Sequence, residues 1–255
     1  MSSSIWTQCA GTSEIRRLAL RAVRVVEAQH HISTRRLVDD LEEQALLERL
    51  IDSVKPAVPQ QIAEQSLHYL LSTPFRHAPL RRGTRLGTKN EPGIWYGSTS
   101  LHTAFCEVAY YRLLFLEGTL APLTAVQVDL SAFWVKVESS SGVDLTAPPF
   151  ARFAKRISSK TSYKSSQPLG AALRVEGVVV ALFESARDPE RGANVALFSP
   201  AFTKRGVHSL ATWRCHASKA EVEFHALGEV EPQAHRYGRE LFTVGGKLPS
   251  FDLSP

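Results

Sequence analysis

Within residues 75–112, FRHAPLRRGTRLGTKNEPGIWYGSTSLHTAFCEVAYYR, the chain places Arg76, Arg81, Arg82 and Arg85 ahead of a tyrosine, Tyr96, and a glutamate, Glu107. Guanidinium forks match phosphate oxygens in pairs, and no acidic residue lies between positions 75 and 90 to neutralise them. The chemistry this suggests is the handling of a diphosphate-bearing substrate with a cationic leaving group. Gly83 and Gly87 flank Arg85, so the backbone there can approach a ligand or turn with positive φ.

The elements needed to hold these groups can be read around them. Thr99 or Ser100 can cap a helix running to Gly118, on which Ala104, Glu107, Tyr111 and Leu114 share one face. A glutamate on that stripe reads, from pattern alone, as an edge residue paired with Arg112 or solvent. Residues 94–96 make a short strand, 124–130 and 133–137 alternate as a half-buried strand, and 142–149 read as a loop. Two β-branched runs, 178–183 and 195–198, flank a polar turn at Pro189, Gly192 and Asn194 and predict neighbouring strands. Residues 151–167, basic and serine-rich, read as a mobile loop or helix edge.

Toward the N-terminus, Ile15, Leu18, Ala19, Ala22, Val25 and Val26 recur at helical spacing, with Arg16, Arg17, Arg21 and Arg24 on the opposite, solvated face. Ser33 or Thr34 caps a second expected helix, lined by Leu37, Leu41, Leu47, Leu50, Ile51 and Val54 and stopped by Pro56. The two are expected to form a hairpin, followed by a third helix over 59–71 that Pro74 closes.

Composition sets limits. With 44% hydrophobic and 22% charged residues among 255, the chain is globular in character, and a formal charge of +5 permits nucleic-acid contact without requiring it. Cys9, Cys106 and Cys215 show no CxxC spacing, and neither His77 nor the His30–His31 pair has ligand partners at a useful spacing. Neither a disulfide framework nor a metal site is expected. There is no run of about 18 apolar residues and no signal-peptide pattern, so a cytoplasmic protein without membrane contact is expected.

The blocks RRGTRLG, GIWYGS and TAFCE, with LFESARDPERGANVALFSPAF at 182–202, resemble in order and spacing the RES domain, a family called after a recurring Arg, Glu and Ser. That resemblance implies an α+β fold: an ADP-ribosyltransferase-like core of short strands around a cleft, preceded by an N-terminal helical extension. The division would be 1–74 for the extension, 75–225 for the catalytic core and 226–255 for a tail packing on it. It further implies the toxin of a toxin–antitoxin pair that degrades NAD+ at the nicotinamide–ribose bond, by phosphorolysis or hydrolysis.

In that scheme Glu107 stabilises the oxocarbenium-like ribose, Arg76 and Arg85 clamp the pyrophosphate, and Tyr96 packs on or hydrogen-bonds the nicotinamide ribose. Ser185, with no histidine at a triad spacing, positions the ligand, while Arg187 serves phosphate and Asn194 the turn. NAD+ is substrate rather than cofactor, and inorganic phosphate is a candidate co-substrate. The implied partner is an Xre-type helix-turn-helix antitoxin, through which alone nucleic acid would be contacted; self-association is compatible with the sequence. His77 and Leu86 stand where many members carry aromatics, which bears on substrate preference. Two alternatives stay open: ADP-ribosyl transfer to a macromolecule, and a non-catalytic nucleotide- or nucleic-acid-binding module.

Overall fold

The computed structural model of the protein describes residues 4–28, 38–57, 59–77, 82–228 and 233–250. The fold is mixed α+β, built on one eight-stranded sheet. Its strands are β1 (Arg16–Glu27), β2 (Trp95–Ser98), β3 (Ala125–Asp144), β4 (Val180–Glu184), β5 (Ala193–Leu197), β6 (His208–Ser218), β7 (Glu221–Leu227) and β8 (Ala234–Gly238). The order is β1-β2-β5-β4-β3-β6-β7-β8, and β1 also pairs along β3, so the first five strands close on themselves. Strand β3, 20 residues long, gives one edge to β1 and the other to β6 and then β4. The β3–β4 pair is parallel, and such pairs need a crossover, supplied here by α6 (Ala154–Ile157) and α7 (Ser166–Val175).

Residues 16–27 correct the sequence reading: they form β1, not an amphipathic helix. Spacing of three and four was present, but so was alternation. Leu18, Leu20, Ala22 and Val26 pack in one core cluster while Val25 packs in another. Val23, Val25 and Val26 are β-branched, which stiffens χ1 and suits a pleated surface, and eleven register pairs with β3 reward the extended form. The arginines are cross-strand partners: Arg17 bonds Glu138, Arg16 lies 3.5 Å from Asp144, and Arg21 sits 4.9 Å over the Trp134 ring.

The expected helical hairpin is therefore absent from the described residues. Helix α2 (Leu41–Ser53) exists, but its N-terminus is capped by Asp40, whose Oδ1 accepts from the amides of Glu42 and Glu43 at 2.8 Å. Ser33, Thr34 and Leu37 lie outside the described residues. Leu46, Leu50 and Val54 of this segment are exposed rather than packed on a partner helix. The third expected helix splits into α3 (Gln60–Ala63) and α4 (Tyr69–Arg76), separated at Ser66 with φ 51°, and Pro74 lies inside α4.

Helix α5 (Leu101–Gly118) positions the site. Ser100 caps it, its hydroxyl oxygen accepting from the Thr103 amide at 3.1 Å. One face, carrying Phe105, Cys106, Ala109, Tyr110, Leu113 and Leu116, is buried against β3, β6, β7 and β8. The adjoining face, carrying Ala104, Glu107, Tyr111 and Leu114, lines a cavity. A helix apolar nearly all round follows from these two duties. A second cluster lies under α7 and α1 (Ile5–Gln8), where Trp6, Phe150, Leu169, Leu173 and Phe183 meet. A third joins α4 to β2 and β3 through Leu71, Phe75, Trp95 and Phe133. Within 151–167 the chain forms a 3₁₀ turn, α6 and, after turns at 158–165, the start of α7, and 142–144 belong to β3 rather than to a loop.

Candidate active site

The cavity holds about 1090 Å³, at the upper end of the ~300–1,000 Å³ typical of small-molecule sites. Glu107 projects into it from α5. Its Oε1 accepts two short hydrogen bonds, from the Ser185 hydroxyl and from Asn194 Nδ2, each 2.6 Å. Bonds of this kind to an ionised carboxylate are worth about 1.5–3 kcal/mol each, so the group is held in one orientation with Oε2 left for the cavity.

Both holders are fixed in turn. Asn194 pairs with Ser98 across β5 and β2, and its Oδ1 accepts from the Ser98 hydroxyl at 2.7 Å. Ser185 follows β4, and its oxygen accepts from the amides of Arg187 (3.0 Å) and Asp188 (3.1 Å), closing the polar turn. Turn-capping and orientation of Glu107 thus fall on one hydroxyl, whose single proton goes to the carboxylate.

Arg85 is 9% exposed; its Nη1 donates to the carbonyls of Ile157 (3.0 Å) and Ser159 (3.1 Å), leaving Nε and Nη2 for the cavity it lines. The turn carrying it is shaped by Gly83, with φ 71°, where an added Cβ would lie 2.1 Å from the Gly87 carbonyl oxygen. Tyr96 secures both neighbours of Arg85: its hydroxyl accepts from the Leu86 amide at 3.2 Å and shares a 2.9 Å hydrogen bond with Thr84 Oγ1. Burial pushes this phenol up to about 12, against the lowering by those two bonds, so it is neutral at physiological pH. The ring lines the cavity and meets Phe183 edge-on at 6.2 Å.

Arg187 lines the same cavity, with its guanidinium 3.5 Å over the Tyr110 ring and Nη1 donating to the Lys160 carbonyl at 3.1 Å. The structure thus brings together Arg85, Tyr96, Glu107, Ser185, Arg187 and Asn194. It does not bring Arg76 to them. That side chain, at the end of α4, donates to the carbonyls of Pro56 and Lys55, outside the cavity.

Two further arginines line the cavity as well. Arg82 lines the cavity beside Gly83, and so does Arg24 of β1. Among the described residues the Nη1 of Arg24 is buried without a hydrogen-bond partner; its guanidinium is 5.5 Å from the Trp95 ring, and burial lowers its pKa to about 10. Reading 16–27 as a helix hid Arg24; strand alternation would have turned it from solvent. With Arg112 paired to Glu27, the cavity sets Arg24, Arg82, Arg85 and Arg187 against the carboxylate of Glu107. The lining also includes apolar side chains: Val23, Val25, Val108, Leu114, Phe115 and Leu130.

The model of the RES domain family matches residues 58–218, more than half of the chain, and the protein belongs to that family. The match begins after β1, so Arg24 lies outside it, and it ends with β6. No curated protein matches the chain. Among the described residues no helix is long and apolar enough to cross a membrane.

Proposed function

We propose that the protein cleaves the nicotinamide–ribose bond of NAD+, passing ADP-ribose to phosphate or water, as the cytoplasmic toxin of a toxin–antitoxin pair. The observation that carries this reading is the carboxylate of Glu107, held in one orientation by two hydrogen bonds in an arginine-lined cavity whose other acid, Glu27, is paired with Arg112. A site meant only to bind phosphates gains nothing from an anion held among them, whereas a site that stabilises a developing cation does. The family supports it through an NAD-related role.

The bond from C1′ to the nicotinamide nitrogen breaks with its electron pair, and nicotinamide leaves neutral from a cationic ground state. No acid is needed at the leaving group. The charge remaining on ribose is met by Glu107, whose free oxygen can also accept from a ribose hydroxyl. Arg85 and Arg82, with Arg187 behind them, hold the diphosphate, and the apolar side chains of the lining receive a planar ring. Phosphate or water then bonds to C1′, the latter losing a proton to solvent.

The partner that restrains such an enzyme would be an Xre-type antitoxin placing an acidic or carboxylate-ended segment against Arg82 and Arg85. Purified protein incubated with NAD+, with and without phosphate, gives the test. Free nicotinamide with ADP-ribose, or with ADP-ribose 1-phosphate when phosphate is present, is expected. Label transferred to protein or nucleic acid instead would establish the macromolecular transferase.

A further inference from the structure

On the core side of Glu107, three side chains from two elements converge. His102 and Cys106 stand one turn apart on α5, and Asp188 enters from the turn after β4. Their donor atoms all lie within 4.8 Å of one another, with His102 Nε2 3.6 Å from Cys106 Sγ and 3.4 Å from Asp188 Oδ1. Around a tetrahedral zinc ion with bonds of about 2.0–2.1 Å to nitrogen, 2.3 Å to sulfur and 2.0–2.2 Å to oxygen, ligand atoms sit roughly 3.3–3.6 Å apart. The two separations fall at those values.

The surroundings are those of ligands already oriented. The Tyr237 hydroxyl lies 3.1 Å from His102 Nδ1 and donates to the His102 carbonyl at 3.4 Å. In the tautomer with the proton on Nδ1, that nitrogen donates to the Tyr237 oxygen and the lone pair of Nε2 faces a thiol and a carboxylate, an arrangement that a cation between them would satisfy. Asp188, whose side chain is 1% exposed, has Oδ2 bonded by the Thr103 hydroxyl (2.8 Å) and the Gly192 amide (3.2 Å), and Oδ1 by the Glu190 amide (2.8 Å). Outer hydrogen bonds on both the imidazole and the carboxylate are what fixed metal ligands require. The His102 side chain is 35% exposed, so the cluster opens to solvent on one side.

We propose that His102, Cys106 and Asp188 bind a zinc ion that staples the turn after β4 to α5, with water in the fourth position. A thiolate and an imidazole favour zinc over magnesium or calcium, and one neutral imidazole, one thiolate and one carboxylate balance its two charges. Binding transfers the thiol proton of Cys106 to solvent. The turn so fixed carries Ser185, whose oxygen accepts from the Asp188 amide and whose proton goes to Glu107, so the ion stiffens the support of the carboxylate without touching substrate.

The test is cobalt titration of the chelator-treated full chain. One equivalent should give a sulfur-to-cobalt charge-transfer band and visible bands of tetrahedral intensity, displaced by zinc and untouched by magnesium. Cys106→Ser should lose the charge-transfer band, Cys9→Ser should keep it, and His102→Gln, at a partly exposed position, should fold and weaken binding at least tenfold. No charge-transfer band in the folded wild-type protein would overturn the proposal and leave a neutral hydrogen-bonded network. A band surviving in Cys106→Ser, or wild-type affinity in His102→Gln, would place the metal elsewhere and overturn it as well.

Discussion

Replacing Glu107 by Gln removes one charge and almost no volume, and the surroundings are suited to tolerate it. The amide oxygen can occupy the position of Oε1 and still accept from Ser185 and Asn194, while the amide nitrogen takes the oxygen that faces the cavity. The fold and most of the nucleotide affinity should persist. A carboxylate about 5 Å from a developing ribosyl cation, at an effective dielectric of about 20, contributes roughly 3 kcal/mol. At about 1.4 kcal/mol per decade this is on the order of a hundredfold or more in turnover. Ground-state NAD+ also carries a positive charge on the nicotinamide ring, so part of the effect will appear in binding, but the ribose gains its charge only as the bond breaks. Most of the loss should therefore fall on kcat. The assay is nicotinamide release at saturating NAD+ alongside calorimetric binding of NAD+ by the variant. Turnover near that of the wild type, in a variant with an unchanged unfolding curve, would refute the role given to Glu107.

Arg85→Lys should weaken NAD+ binding by on the order of ten- to a hundredfold, since an ammonium cannot both hold the Ile157 and Ser159 carbonyls and present a fork; Arg76→Lys should leave binding near wild type, and equal losses at the two positions would break the distinction. Ser185→Ala should lower kcat more than it raises KM and destabilise the fold by about 1–3 kcal/mol, because two turn amides lose their partner and Oε1 loses one of its two; urea unfolding and steady-state kinetics read both. Tyr96→Phe should cost about 1–2 kcal/mol through the lost bonds to Thr84 and the Leu86 amide and raise KM through Arg85, and a KM unchanged in the folded variant would count against that coupling. Burial raises Tyr96 to about 12 and also pushes Tyr110 and Tyr237 up, so the folded state holds these phenol protons where the unfolded chain has released them. Burial also raises the Cys9 thiol and lifts that of Cys215 to about 11, so stability should be intact below about pH 8.5, the ordinary thiol value, and fall from there to about pH 12; stability that rises over that window would reverse the assignment.

The parts of this site that depend on local pattern were legible in the sequence. Ser100 at the cap, helical spacing through Glu107, and two β-branched runs around a Gly–Asn turn gave α5, β4 and β5 with boundaries a few residues off. The motif blocks placed Arg85, Tyr96, Glu107, Ser185 and Asn194 in one family pattern, and the fold sets them around one cavity. What failed depended on distant pairing. Nothing within residues 16–27 announces a 20-residue β3 more than a hundred positions away, and without it three- and four-residue spacing outweighed alternation. Arg24 was lost with that strand. Arg76 was misjudged for a related reason: a motif gives order along the chain, whereas the carbonyls of Lys55 and Pro56 that hold this side chain are set by tertiary packing. The pairing of His102 with Cys106 at helical spacing was visible, but Asp188 joins them only through the turn after β4.

The central claim is that an oriented carboxylate in an arginine-lined cavity breaks the glycosidic bond of NAD+. Following nicotinamide release over time from NAD+ with the full chain, and with Glu107→Gln at equal concentration, tests it most directly. Multiple-turnover release by the wild-type protein, reduced about a hundredfold or more in a variant that still binds NAD+, is the predicted result. Intact NAD+ after prolonged incubation with folded, nucleotide-binding wild-type protein would contradict it.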